Sequence, residues 1–141
     1  MDKKIYRCPV KGVVHAGMLS FWDDEDGNNT DVHNDYVDHV TSVSGEYYAL
    51  KVHGECMAPR IYDGDIVIVR EQSSVENGQI AVVVFDDDIE IKKMIRGDKG
   101  VILAPLNSSY APRYFEAVSE AAEKIRIIGR VVGFKAEKNF V

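Results

Sequence analysis

The sequence contains few of the residues that cross-link or anchor a chain. Its 141 residues include only two cysteines, Cys8 and Cys56, and its cysteines and histidines show no CxxC or HxxxH spacing. We therefore expect neither a disulfide framework nor a metal site, and no cofactor. No apolar run reaches membrane-spanning length, and the N-terminus "MDKKIYRCPV" lacks the apolar stretch of a secretory signal. These absences indicate a cytoplasmic protein without a membrane partner.

Positive charge is also scarce. The chain carries 17 Lys and Arg against 23 Asp and Glu, a net charge of -6. A surface that binds nucleic acid needs clustered cations for the phosphates, so DNA contact would require a domain outside these residues. The length suits one domain that buries its own core.

Short β signals dominate the chain from Tyr47 onward. Apolar or alternating runs bounded by turn residues occur in "YYALKVHG", "DIVIVRE", "GQIAVVVFDDDIEIKKMI", "GVILAPLN" and "KIRIIGRVVGFK". The only helical candidate of any length is "SEAAEK", which Ser119 can cap. The sequence therefore predicts a mostly β fold in a single compact domain.

The first 46 residues differ from the rest. "IYRCPVKGVVHAGMLSFW" mixes β-branched residues with proline and glycine, which predicts an extended arm with short strands. "DDEDGNNTDVHNDYVDHV" is acidic and follows neither a strand nor a helix pattern, which predicts an exposed loop. We therefore divide the chain into an arm and acidic loop, 1–46, and a domain proper, 47–141, with the arm exposed.

One stretch, "VHGECMAPRIYDGD", raises a question of chemistry. Cys56 lies among turn residues, where it is either a small buried hydrophobe or a nucleophile held on a turn. A nucleophilic thiol needs a base or a cation nearby. In "DDIEIKKMI" strand alternation places Lys92 and Lys93 on opposite faces, and a lysine desolvated by apolar neighbours can act as a base. The pattern alone also fits a buried cysteine and a solvated strand edge.

The order of the motifs identifies a family resemblance. "GECM", "DGD", "NGQIAVV", "IEIKK", "LAPLNSSYAP" and "IIGRVVG" follow one another between Tyr47 and Phe134. This series resembles the peptidase domain of the LexA-like family, which includes phage repressors and UmuD-type polymerase subunits. The resemblance implies a LexA-like β domain that carries a cleavage-site arm and works as an autoproteolytic peptidase with a Ser-Lys dyad.

Position by position, the resemblance assigns the catalytic residues. Cys56 takes the place of the nucleophile, and Lys92 takes the place of the strand lysine that serves as base, with Lys93 as the alternative. The backbone N–H groups of Glu55 and Cys56 would stabilise the oxyanion.

The resemblance also assigns the bond that is cut. The family cleaves its own chain at an Ala-Gly or Cys-Gly bond upstream of the nucleophile, and Ala16-Gly17 is the match here. The sequence departs from the family by having Cys56 where the family has serine. Three interpretations stay open: a natural Cys-Lys variant, a degenerate domain that no longer cleaves, and an engineered substitution.

The partners are implied by the resemblance alone. LexA-like and phage repressors form homodimers, bind DNA through an N-terminal helix-turn-helix, and are cut with the help of RecA filaments in the SOS response or prophage induction. No helix-turn-helix is visible in this sequence. Two alternatives remain: a non-catalytic dimerisation module, and a stand-alone UmuD-like subunit.

Overall fold

The computed structural model describes residues 2–15, 19–20, 36–53, 61, 64–85 and 88–135. Within these ranges the chain forms ten strands and one short helix. The elements are β1 (Lys4–His15), β2 (Leu19–Ser20), β3 (Tyr36–Thr41), β4 (Tyr47–His53), β5 (Ile66–Arg70), β6 (Ile80–Phe85), β7 (Asp88–Gly97), β8 (Gly100–Ala104), β9 (Arg113–Glu116), α1 (Glu120–Glu123) and β10 (Arg126–Lys135). The prediction of a mostly β, single compact domain is confirmed.

Seven of the strands close into a ring. Neighbouring strands follow the order β2-β1-β4-β5-β10-β6-β7, and β2 pairs back onto β7. β8 and β9 continue outward from β7, and β3 pairs with β1. Closure gives both edges of the seven-stranded sheet a partner, which satisfies backbone groups that an open edge would expose.

The ring has a core on both of its faces. Alternate residues of β4, β5, β6 and β7 meet inside it, together with Ile61 from the connection between β4 and β5. They form the inner cluster: Tyr48, Leu50, Val52, Ile61, Val67, Val69, Val82, Ile89 and Ile91. β8, β9 and α1 cover part of the outside, where the outer cluster consists of Val75, Ala81, Val83, Met94, Leu103 and Phe115. Burial on two faces explains why β5 and β6 read as continuous apolar runs.

Two expectations about the N-terminal third are wrong. The predicted loop includes strand β3, which pairs antiparallel with β1 from Lys4↔Thr41 to Pro9↔Tyr36. The arm is not an exposed segment, because one face of β1 is buried: Cys8 and Val10 lie in a third cluster with Ala49 and Ile68. This cluster fixes β1, the strand that leads to residue 16, within the ring.

The short helix forms where the sequence predicts it. Ser119 is its N-cap, and the Ser119 Oγ accepts a hydrogen bond from the backbone N–H of Ala122 at 3.1 Å. That bond satisfies one of the amide groups left free by the first helical turn.

Candidate active site

Four strand ends lie side by side at one place on the ring. β1 pairs in parallel with β4 up to His15↔His53, and antiparallel with β2 through Val14↔Leu19. β2 in turn pairs antiparallel with β7 through Leu19↔Ile89. We call this group of strand ends, defined by His15, Leu19, His53 and Ile89, the junction. It brings together the two ends of the 16–18 connection, the start of the 54–60 segment and the first part of β7.

Backbone hydrogen bonds join the end of β4 to the residues just before β5. The backbone N–H of Val52 donates to the carbonyl of Asp65 at 2.8 Å, and the N–H of Gly64 donates to the carbonyl of Val52 at 2.7 Å. Gly64 has φ 93°, a left-handed conformation that glycine adopts without the clash of a Cβ. Ile61 is buried in the inner cluster. The described residues that flank 54–60, His53 and Ile61, are thus part of an ordered framework.

The two adjacent lysines of β7 have different surroundings. Lys92 lies opposite Ala81 and is only 6% exposed, whereas Lys93 lies opposite Ile80 and is half-buried. Of the two lysines, Lys92 is therefore the one whose side chain the fold encloses.

Lys92 also lies where one edge of β7 changes its pairing partner from β2 to β8. Ile89 pairs with β2 through Leu19, and Lys93, four residues later, pairs with β8 through Ala104. β2 and β8 thus diverge along the stretch that contains Lys92. A split between two strands is a place where another segment of chain can approach a strand residue.

A second buried ionisable residue precedes Lys92 on the same strand. Glu90 is 2% exposed, and its Oε2 accepts a hydrogen bond from Nη1 of Arg113 on β9 at 2.7 Å. The Arg113 guanidinium lies over the rings of Phe85 and Phe115, 4.9 and 5.4 Å from their centroids. Sequence reasoning missed this ion pair, although a glutamate between Ile89 and Ile91 in an apolar strand signals a buried acid that needs a cation.

Comparison with known proteins identifies the family of the chain. The model of the Peptidase S24-like family matches residues 9–132. This chain belongs to that family. The resemblance read from the order of the motifs is thereby confirmed, and the chain is a LexA-like S24 peptidase domain.

Several LexA repressors are similar to this S24 domain. The repressor of Thermosipho africanus is 36% identical over 130 residues, which are 89% of this chain and 59% of that repressor. The repressor of Granulibacter bethesdensis is 39% identical over 92 residues, 64% of this chain and 36% of its own. That of Thermosipho melanesiensis is 36% identical over 126 residues, 89% and 59% respectively. The chain thus spans less than two thirds of the repressors it matches.

Only part of the predicted dyad site of this S24 domain falls in the described ranges. Lys92 and Lys93 lie on β7 beside the junction, while Ala16, Gly17, Glu55 and Cys56 lie outside the described residues. Described residues flank the latter positions on both sides, His15 and Leu19 for the bond and His53 and Ile61 for the nucleophile. The assignment of these four residues, and that of Lys92 as the base, stays a prediction.

The described residues also bear on metal binding, free thiols and membrane spans. The described part of the chain contains no group of three or more His, Cys, Asp or Glu side chains arranged to hold a metal ion. Cys8 is a free, buried thiol. Among the described residues, no helix is long and apolar enough to cross a membrane.

Proposed function

We propose that this chain is the self-cleavage and dimerisation domain of a LexA-like repressor, and that it cuts its own Ala16-Gly17 bond. The observation that carries the proposal is the junction. Continuing the antiparallel Leu19↔Ile89 register would bring positions 16–18 opposite 90–92. Continuing the parallel His15↔His53 register would bring position 16 beside 54, two residues before Cys56. The bond, the nucleophile and the base thus meet if both registers extend.

The proposed chemistry is an intramolecular acyl transfer. Neutral Lys92 takes the proton of the Cys56 thiol, and the sulfur attacks the carbonyl carbon of Ala16. The backbone N–H groups of Glu55 and Cys56 stabilise the oxyanion. The C–N bond to Gly17 then breaks as Lys92 returns the proton to the leaving amine, and water hydrolyses the thioester to free the thiol.

Two features of the fold support this scheme. Lys92 is nearly inaccessible to water, and it lies on the strand that starts at the junction. The pairing of β1 and β2 within the ring supplies the substrate bond by proximity, so no separate binding step is needed. Cleavage is then limited by how the 16–18 connection sits against β7.

The decisive experiment is incubation of the purified chain at pH 7 to 10, followed by intact-mass analysis. We expect a fragment that starts at Gly17, at a rate that rises with pH because the reaction needs a deprotonated base and thiolate. Cys56→Ala should abolish the fragment, and Cys56→Ser should retain it. A parent fragment that starts elsewhere would refute the bond assignment. No fragment at any pH would refute self-cleavage and favour the non-catalytic dimerisation module.

The functions of the whole protein belong to the same proposal. The matched repressors are longer than this chain, so DNA binding is assigned to a domain outside it. We further propose a homodimer, assistance of cleavage by a RecA filament, a role in SOS or prophage regulation, and a cytoplasmic location. A stand-alone UmuD-like subunit is the alternative, and the presence of a DNA-binding domain in the full-length protein separates the two.

A further inference from the structure

The ion pair of buried Glu90 and partly exposed Arg113 lies on the same face of the sheet as Lys92. Glu90 pairs with Val83 and Lys92 pairs with Ala81, and both partners belong to the outer cluster. Directly paired residues share a face, and so do residues two apart on a strand, which are about 7 Å apart along it. Glu90 and Lys92 are therefore neighbours on one face of β7.

The environment of Glu90 makes its charge effective over that distance. Its side chain is nearly inaccessible to water, and its Oε1 has no hydrogen-bond partner among the described residues. Arg113 supplies the balancing positive charge, and the two phenylalanine rings hold its guanidinium in place. The Coulomb interaction between the buried Glu90 and Lys92 is only weakly screened, whereas solvent screens part of the charge of Arg113, which is 42% exposed. A change in either member of the pair should be felt at Lys92.

We propose that Glu90 and Arg113 are positioning residues for the self-cleavage reaction, and that their paired charges set the pH at which Lys92 becomes a neutral base. This inference rests on the proposed function. With Arg113 in place the pair is neutral overall, so its net effect on Lys92 is small. Without Arg113, the Glu90 carboxylate retains the proton on Lys92. Without Glu90, the Arg113 cation expels it.

Other charged groups near Lys92 come from the elements packed around it. Arg130 on β10 lies opposite Ala81 and so shares the face of Lys92 one strand further away. Asp65 and His53 lie at the junction. The described spans of β6 and β8 contain no charged residue. Arg130, Asp65 and His53 are unchanged in the variants below, so their effects cancel in the comparison.

The test is the pH profile of the self-cleavage rate in four proteins: the parent, Glu90→Gln, Arg113→Gln and the double variant. We expect the profile of Arg113→Gln to move about one pH unit to alkaline pH, and that of Glu90→Gln to move about one unit to acidic pH. The double variant should return close to the parent. Lys99→Gln and Glu120→Gln, which remove the same charges from exposed sites, should leave the profile unchanged.

A purely structural role for the pair gives a different result. Both single variants would then slow cleavage at every pH without opposite shifts of the profile, and that outcome would overturn the proposal. Thermal unfolding of each variant shows that it is folded. Arg113→Lys keeps the charge, so its profile should match the parent. If Arg113→Gln does not fold, the acidic shift of Glu90→Gln and the unshifted Arg113→Lys still decide the question.

A second measurement does not depend on cleavage. In the Cys56→Ala background, NMR titration of the lysine ε-carbons, with Lys92 assigned by its loss in Lys92→Arg, follows its proton directly. Opposite shifts of the Lys92 midpoint in Glu90→Gln and Arg113→Gln would support the ion-pair role even if the parent never cleaves. Unshifted midpoints would refute it even if self-cleavage is established.

Discussion

Leu19 of β2 pairs antiparallel with Ile89 of β7, three residues before Lys92. This contact closes the ring, and it joins the N-terminal segment to the strand that carries the proposed base. The strand before this pair, β1, is also held in the fold, because its residues Cys8 and Val10 are buried. The proposed cleavage site is therefore flanked by ordered strands and does not hang from a free tail.

Replacing the base should stop the reaction and leave the fold intact. We expect Lys92→Ala to slow self-cleavage by about 10²- to 10⁴-fold, because the variant removes the proposed acceptor of the thiol proton. The variant should stay folded, since an alanine opposite Ala81 buries no charge in the strand. Mass spectrometry after alkaline incubation measures the rate. The matched control is Lys93→Ala, and a reversed result for the two lysines would assign the base to Lys93.

The turn that returns from the nucleophile segment depends on Gly64. Gly64→Ala forces a Cβ into a left-handed conformation and should cost about 1 to 2 kcal/mol of unfolding free energy. It should also slow cleavage, because the Gly64 N–H bond to Val52 fixes one end of the segment that contains Cys56. Urea unfolding and the cleavage rate are the two measurements.

Gly78 provides the matched control for that substitution. It has φ 88°, and an added Cβ there meets no atom within 4 Å, so Gly78→Ala carries a similar backbone penalty at the opposite end of β6 from the junction. We expect a comparable loss of stability with an unchanged cleavage rate. Equal slowing by both variants would show that Gly64 acts only through global stability.

The sequence predicts those parts of the fold that local patterns determine. The strands from β4 to β8 and β10 were found because apolar residues recur between turn residues, and Ser119 marked the helix. β3 was missed because its alternating residues follow an acidic, Asn-rich stretch, and its partner is the distant strand β1. β9 was missed because it is only four residues long and has no pattern of its own. It is a strand because it pairs with β8.

For the proposed site, the sequence indicates candidate residues but not their surroundings. The order of the motifs singled out Lys92 and Lys93, but only the structure distinguishes their burial. Closure of the ring through Leu19 and Ile89 joins residues 70 positions apart, and no local pattern reports such a pair. The partner of Glu90 on β9 was hidden for the same reason.

The two cysteines should differ in reactivity. Cys8 is fully buried, and its Sγ donates to the carbonyl of Tyr6 at 3.6 Å. Burial, with a contribution from the Asp38 carboxylate, raises the pKa of the Cys8 thiol, so little thiolate is present at neutral pH. We expect a maleimide to label one thiol per native chain and two after denaturation. Native labelling should persist in Cys8→Ala and vanish in Cys56→Ala, and rapid labelling of Cys8 would contradict its burial.

Acid should weaken the packing of β3 through His39. The imidazole lies 4.9 Å from the ring of Tyr47, and burial, aided by Lys135, lowers the pKa of His39 below 6.5. Above pH 6.5 the residue is neutral in both states. As the pH falls from 6.5 toward the lower folded value, the unfolded state takes up the proton first, and stability is lost. Urea unfolding at pH 5.5 and 7.5 should show a smaller pH dependence in His39→Gln, and an equal dependence would exclude His39 as the cause.

The last prediction concerns the residue before the proposed cut. Ala16→Asp should abolish the fragment that starts at Gly17, because a larger, charged side chain would have to be desolvated between the ends of β4 and β7. The conservative variant Ala16→Ser should retain cleavage, since its side chain is only one atom larger. β1 is embedded upstream of this position, so circular dichroism and urea unfolding must accompany the mass analysis of each variant. Cleavage of Ala16→Asp at the parent rate, with the same new N-terminus, would show that residue 16 does not enter a confined site and would remove the steric basis for the bond assignment.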